Sequence, residues 1–234
     1  MEESGKVPIR MAAVLSAPTV GWNPHWGCVQ EAFHPWSIPI RLGSGAYWHQ
    51  TMQTLLEEAV RDGLDWVLTL DYDSLFTKNH VQRLIDQMAV SPHIDALAAL
   101  QVRRGSVECP LLNIGDGRAE VEFNGKPVKV RTAHFGMTMI RVEKLRDLPK
   151  PWFLPVPGTN GSYDDSRIDA DINFWLHWKE HGRTVYVDPD CRIGHLQPMV
   201  AEFAEDTAQD GRPFLVPKHT HVHEWRSREN GVTA

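Results

Sequence analysis

Two aspartates one residue apart, Asp71 and Asp73, close the short apolar run Trp66-Val-Leu-Thr-Leu70. Residues i and i+2 of a strand share a face, so a strand that ends here delivers both carboxylates to one point. Hard oxygen ligands of this kind suit Mg²⁺ or Mn²⁺, ions that keep several waters and grip a diphosphate. The competing reading is a strand end capped by ordinary turn-forming aspartates, and a lone pair does not separate the two. A second group is Asp171-Ile-Asn-Phe174, followed by Gly182 and then His195. On a helix Phe174 lies three residues from Asp171, and Ile168, Ile172, Trp175 and Leu176 form an adjoining apolar face. The helix therefore packs on a sheet with Asp171 near its start. Against a chemical role, a first-turn carboxylate can simply serve the helix dipole, worth ~0.3–1 kcal/mol, and His195 can be a buried, hydrogen-bonded histidine. A third group is His219-x-His221-x-His223, whose imidazoles would share one face of a strand and could hold a metal. A polar tail segment is the preferred reading there, with Lys218, Arg226 and Arg228 placed to meet a phosphate instead.

The elements that must position these residues follow from periodicity. Residues 7–15 read as a first strand running into the Pro- and Gly-containing loop 16–25. Ligands of open α/β sheets gather at such strand ends. Residues 38–42 read as a second strand, after which Ser44 caps a helix carrying Tyr47, Met52, Leu55, Leu56, Ala59 and Val60 and stopping near Gly63. A strand over 65–70 leads into the Asp71/Asp73 corner and a helix with Val81, Leu84, Ile85 and Met88 on its apolar face. This βαβα order implies a parallel sheet with right-handed crossovers. Residues 121–123 and 128–130 flank Asn124-Gly125, a hairpin signal that marks an antiparallel insertion. A strand over 132–142, a short helix ended by Pro149 and Pro151, and a flexible loop over 158–162 follow. Asp164, Asp165, Ser166 and Asp169 crowd acid toward the start of a helix that runs to about His181, as the macrodipole favours. A strand over 184–187 leads to His195, and residues 198–234 form a polar extension that wraps the domain.

Composition bounds the rest. A chain of 234 residues, 42% hydrophobic and 23% charged, can bury a sizeable core and reads as one α/β domain. A net charge of −6 supplies no global field toward nucleic acid or anionic lipid. Cys28, Cys109 and Cys191 are widely spaced with no CxxC pair, which argues against a disulfide framework and a thiolate zinc site and points to a reducing compartment. The N-terminus is acidic, and no apolar run approaches the roughly 20 residues that span a bilayer. A cytoplasmic protein without a membrane span is the expectation.

Taken together and in order, these pieces resemble the inverting nucleotide-sugar glycosyltransferases of GT-A fold, especially the compact glycosyltransferase-like proteins of phages and bacteria. Four pieces carry the resemblance: the apolar strand ending in Asp71-x-Asp73; the segment from Gly136 through Pro151-Trp152-Phe153, like the family's strand, helix and Pro-Trp-Phe turn; Asp171-x-x-Phe174 with Gly182, like the family's E-D-x-x-F segment and downstream glycine; and Val185-Tyr-Val-Asp-Pro-Asp-Cys-Arg-Ile-Gly-His195, like the strand that ends in the family's metal-binding histidine. The likeness spans roughly residues 7 to 197. Ala170 stands where the family has a glutamate, and Asp169 sits one position earlier. Asp169 is therefore an alternative base, with the spacing to Phe174 and Gly182 favouring Asp171.

The resemblance implies a Rossmann-like, mostly parallel sheet flanked by helices. It also implies an enzyme that moves a sugar from a nucleoside-diphosphate donor, UDP-linked by family frequency, to an acceptor hydroxyl with inversion. In that reading Asp73 and His195 hold Mn²⁺ or Mg²⁺ with the diphosphate, Asp71 supports the metal or the ribose, and Asp171 is the general base. Ala17, Pro18, Thr19 and Arg41 lie near the nucleotide by analogy of position. Six tryptophans, Trp22, Trp26, Trp36, Trp48, Trp152 and Trp175, offer flat faces to a sugar, with Trp22, Trp26 and Trp152 favoured by their Pro/Gly-rich surroundings. The acceptor is a glycan or a hydroxymethylated pyrimidine in phage DNA. For DNA, Arg103-Arg104, the stretch 126–131 and the tail 218–228 would supply a local basic surface in the host cytoplasm. Two other readings stand beside this one: a metal-assisted phosphoesterase using the same ligands, and a nucleotide-sugar binding domain without turnover.

Overall fold

The computed structural model describes residues 9–18, 21–102, 125–164, 166–197, 199–207 and 212–221. β1 (Met11–Ser16) is buried along almost its whole length because helices cover both faces of the sheet, which is why it reads as an unbroken apolar run. α1 (Asn23–Phe33) follows, then β2 (Ile40–Gly43), which pairs parallel with β1. α2 (Trp48–Arg61) buries Met52, Leu55, Leu56 and Ala59, and Gly63 leaves it at φ +64°, a conformation that favours glycine. Its N-cap is Tyr47 rather than the expected Ser44. The reason is steric: Gly43 and Gly45 lie so close to Thr51 that a Cβ would come within 2.5 and 2.6 Å of it, so the 43–46 segment runs against the helix instead of forming its first turn.

β3 (Trp66–Asp71) pairs parallel with the other side of β1. β4 (Ser74–Leu75) and α3 (Lys78–Val90) come next, with the Thr77 N–H donating to Nδ1 of His80 at the helix start. β5 (Ala96–Leu100) is a buried central strand that the periodicity did not announce, since Ala96, Ala98 and Ala99 carry no strand propensity of their own. Burial between two helical layers decides it. After β6 (Val128–Lys129), the expected long strand over 132–142 is regular only as β7 (Met137–Arg141), followed by α4 (Glu143–Arg146). Arg141 donates to the carbonyls of Met88, Ser91 and Ile94 and so fastens the end of α3 to β7. α5 (Ala170–Glu180), β8 (Val185–Arg192) and β9 (Gly194–His195) complete this part.

The strand order is β2-β1-β3-β7-β5-β8-β6. Five of the seven strands run one way, and β7 and β6 oppose them. Side chains alternate between the faces, so Val14 and Val67 join one core with α2 and α5, while Ala13, Leu15, Leu68 and Leu70 join another with α1 and α3. The mostly parallel sheet between helices is the fold the sequence pointed to. In one margin of the second core the Asp188 carboxylate, wholly buried, accepts a two-pronged bond from Arg83 at 2.7 and 2.9 Å, pinning α3 to β8. Cys28 and Cys191 are free thiols; burial, and then the charge of Asp188, pushes Cys191 up to about 12. Cys109 and the first arm of the expected hairpin over 121–130 lie outside the described residues, and the second arm is present as β6 on the sheet edge, antiparallel to β8.

The C-terminal segment is regular. β10 (Met199–Thr207) and β11 (Pro213–His221) form a separate antiparallel pair, registered from Met199↔His221 to Thr207↔Pro213. A backbone ladder needs no apolar alternation, so the polar composition that suggested an irregular strap did not preclude it. Among the described residues no helix is long and apolar enough to cross a membrane.

Candidate functional site

The site lies where β1 and β3 end side by side, with Ser16 opposite Asp71. Beyond Asp71 the chain turns at Tyr72 and Asp73 and enters β4, which pairs antiparallel with β9 so that Ser74 faces His195. The Leu196 N–H donates to the Asp73 carbonyl at 2.8 Å. Backbone pairing thus brings the two distant residues together: Asp73 Oδ2 and His195 Nε2 are 3.3 Å apart, with side chains 4% and 8% exposed. His195 Nδ1 donates to the Val102 carbonyl at 2.8 Å, since a carbonyl can only accept. With that proton committed, Nε2 and the Asp73 oxygen meet as two acceptors unless a proton or a metal ion stands between them. A second nitrogen anchored on a carbonyl is also the arrangement that orients metal-binding imidazoles. The donor set therefore fits a divalent cation as a partial site completed by phosphate and water. Among the described residues no group of three or more His, Cys, Asp or Glu encloses a cation by itself.

Asp71 is the adjoining acid. Its Oδ1 accepts the indole N–H of Trp48 at 3.1 Å. Burial, and then the charge of Asp73, pushes its carboxyl up to about 7, with Asp171 adding to the effect. Crowded carboxylates of this kind are relieved by a bound cation. Asp171 stands in the first turn of α5, and burial raises its carboxyl above the usual range, partly offset by the backbone N–H of Ile172. Asp169 is the N-cap residue; its exposed side chain is paired with Arg167 at 2.8 Å. Of the two candidate bases, Asp171 has the less solvated carboxylate.

A cavity of about 530 Å³ connects these groups, with Asp71, Asp73 and His195 on one side and Asp169 and Asp171 on another. That volume falls in the range of small-ligand sites. Its remaining walls are Trp48, Tyr72, Gln101, His134 and Phe135. Phe135 stacks on Trp175 at 5.0 Å and is met edge-on by Trp48 and Phe174, so one aromatic pile carries both the Asp71 partner and the start of α5. His134 donates from Nε2 to the Ala99 carbonyl and accepts the Gly136 N–H at Nδ1; burial lowers it to about 4, so it stays neutral. Gly136 faces Gln101, His134 and Ser74 with no room for a side chain, since a Cβ would meet their atoms at 2.7, 2.8 and 2.9 Å. Gln101, His134 and Phe135 have no motif signal, and only the position of His134-Phe135-Gly136 at the mouth of a strand could have singled them out.

The other expected residues are distributed as follows. Ala17 leaves β1 next to Ser16, its N–H donating to the Gly43 carbonyl, and Pro18 follows it. Thr19 lies outside the described residues. Arg41, on β2 opposite Val14, is paired with Asp62 at 2.7 Å and does not line the cavity. Trp152 is 2% exposed and donates to the Leu148 carbonyl, so it belongs to the core and not to a ligand surface. Trp26 is partly buried against the second core, Trp175 is fully buried, and Trp22 and Trp36 are exposed. Trp48 is the tryptophan that reaches the cavity. His219 and His221 fall on β11, two residues apart, whereas His223, Arg226 and Arg228, with Arg103 and Arg104, lie outside the described residues. Lys218 is exposed on β11.

No protein-family model matches the sequence, and no curated protein matches it. Solved structures do match. A mannosyltransferase, PcManGT from Pyrobaculum calidifontis in complex with GDP-Man and Mn²⁺, aligns with TM-score 0.47 at 12% identity over 81% of this chain and 57% of that one. The protein A197 from STIV aligns with TM-score 0.56 at 15% identity over 88% of this chain and 94% of its own. The likeness to A197 extends over nearly the whole of both chains and establishes a shared α/β fold.

Proposed function

We propose that this chain is a metal-dependent glycosyltransferase that moves a sugar from a nucleoside-diphosphate sugar, UDP-linked in the first instance, to an acceptor hydroxyl with inversion. One observation carries the reading: a single cavity presents the Asp73/His195 pair on one side and the buried Asp171 carboxylate on another. Asp73 and His195, with Asp71 beside them, would hold Mn²⁺ or Mg²⁺, which when bound neutralises the charge of the departing nucleotide. The protein's part is to keep those ligands in place. Val102 fixes the His195 ring, Trp48 fixes Asp71, and the β4–β9 pairing fixes the separation of Asp73 from His195.

Asp171 takes the proton of the acceptor hydroxyl while the acceptor oxygen forms a bond to the anomeric carbon. The bond from that carbon to the diphosphate breaks on the opposite face. A carboxylate whose affinity for a proton is raised by burial is a better base than a solvated one, which supports Asp171 over Asp169. Ala17, Pro18 and Thr19 border the donor by their place after β1; Arg41 would have to leave Asp62 to reach a nucleotide. The acceptor belongs to the glycan or hydroxymethylated-pyrimidine class, and the site acts in the cytoplasm. The test is turnover of UDP-, GDP- and dTDP-sugars with and without Mn²⁺. Asp73→Ala should abolish metal-dependent turnover, and a fully active Asp73→Ala enzyme would end this reading. Efficient hydrolysis of simple phosphoesters would favour a phosphoesterase instead.

A further inference from the structure

We propose that His25 is a positioning residue for the Asp73/His195 pair, acting from behind the site through the Ser74 carbonyl; this rests on the metal-binding role given to that pair above. His25 lies in α1, is fully buried, and its Nδ1 is 2.8 Å from the Ser74 carbonyl oxygen. Because a carbonyl only accepts, Nδ1 carries the proton and Nε2 is a bare acceptor. That Nε2 is buried and has no hydrogen-bond partner. The ring meets Trp26 and Phe76 edge-on at 5.6 and 6.0 Å, so its surroundings are aromatic. An unmet buried acceptor destabilises a fold, whereas an apolar side chain of similar size would not. What the histidine adds in return is one bond to the backbone of Ser74.

That bond lands at the most sensitive point of the site. Ser74 follows Asp73 directly and pairs with His195 across a ladder only two residues long. So short a pairing cannot hold itself. From the other side Gln101, 2% exposed, donates to Ser74 Oγ at 3.1 Å and to the Gly194 carbonyl at 3.3 Å, bridging β4 and β9. His25 and Gln101 thus grip one corner from two directions. Outer partners of this kind set the orientation of the ligands they support, and losing one typically weakens metal binding about 10- to 100-fold.

The experiment is a Mn²⁺ titration followed by electron paramagnetic resonance, with thermal melts of the metal-free proteins, on wild type, His25→Leu and His25→Asn. Leucine fills the aromatic surroundings but donates nothing. Asparagine keeps a donor close to the Nδ1 position. The Leu variant should melt at or above wild type and bind Mn²⁺ at least about tenfold more weakly, while the Asn variant recovers most of that loss. A Leu variant with wild-type Mn²⁺ affinity, whatever its melting temperature, would overturn the inference, as would an Asn variant as weak as Leu. Wild-type protein that binds no Mn²⁺ would overturn the metal role of the site itself, and the inference with it.

Discussion

Replacing Asp71 with asparagine should stabilise the metal-free protein at pH 8 and leave it almost unchanged near pH 4. Asp71 is held at about 7 in the fold against 3.8 in the open chain, chiefly by burial and then by Asp73. A carboxyl raised in the folded state binds more protons there than in the unfolded state, so stability falls as pH rises between about 4 and 7. The gap of roughly 3 pH units corresponds to about 4 kcal/mol at ~1.4 kcal/mol per unit. Asp71 is only half-buried, and water on the cavity side screens part of this, leaving about 2–4 kcal/mol. Asparagine retains an oxygen for the Trp48 indole and removes the repulsion from Asp73. Urea unfolding of wild type and Asp71→Asn in chelator at pH 4, 6 and 8 measures the difference directly. The variant should gain through that range, and Mn²⁺ should stabilise wild type more than the variant. A variant less stable than wild type at pH 8, or a difference that does not move with pH, would refute the reasoning.

Three further outcomes follow from the same cavity. His134 has the opposite sign: its folded value of about 4 lies below 6.5, so the unfolded chain binds more protons in that window and stability is lost as pH falls through it. The unfolding free energy of wild type relative to His134→Gln should therefore drop by about 3 kcal/mol from pH 7 to pH 4, read from paired urea titrations. Gly136→Ala forces a Cβ into Gln101, His134 and Ser74 and should destabilise by about 1–3 kcal/mol while weakening Mn²⁺ binding; a neutral substitution would mean the cluster is loose. Between the two candidate bases, Asp171→Asn should lower kcat by about 100-fold or more, and Asp169→Asn, whose side chain is exposed and paired with Arg167, by less than about tenfold. Equal losses in steady-state kinetics would remove that distinction.

The sequence carried the alternating half of the fold well because β1, β3, α2 and α3 have strong, unambiguous periods. It was silent on β5, where small residues are placed by burial rather than propensity, and it misjudged the tail, whose pairing is carried by backbone rather than by an apolar pattern. Within the site, the Asp71/Asp73 spacing and the order of Asp171 and His195 were legible because each sits at an element boundary. The surrounding walls were not. Gln101 and His134 act through tertiary hydrogen bonds to Ser74, Gly194 and Ala99, which no local window contains. Trp152 illustrates the reverse error: a Pro-flanked tryptophan suggested an exposed face, yet its indole is anchored on Leu148 inside the core.

The central claim is that Asp73 and His195 form a metal-dependent donor site. Isothermal titration of UDP-, GDP- and dTDP-sugars into wild type and Asp73→Ala, each with and without Mn²⁺, tests it most directly. The account predicts binding of one nucleotide class that requires Mn²⁺ and vanishes in Asp73→Ala. Binding that ignores the metal, survives the substitution, or is absent for all three classes would contradict it.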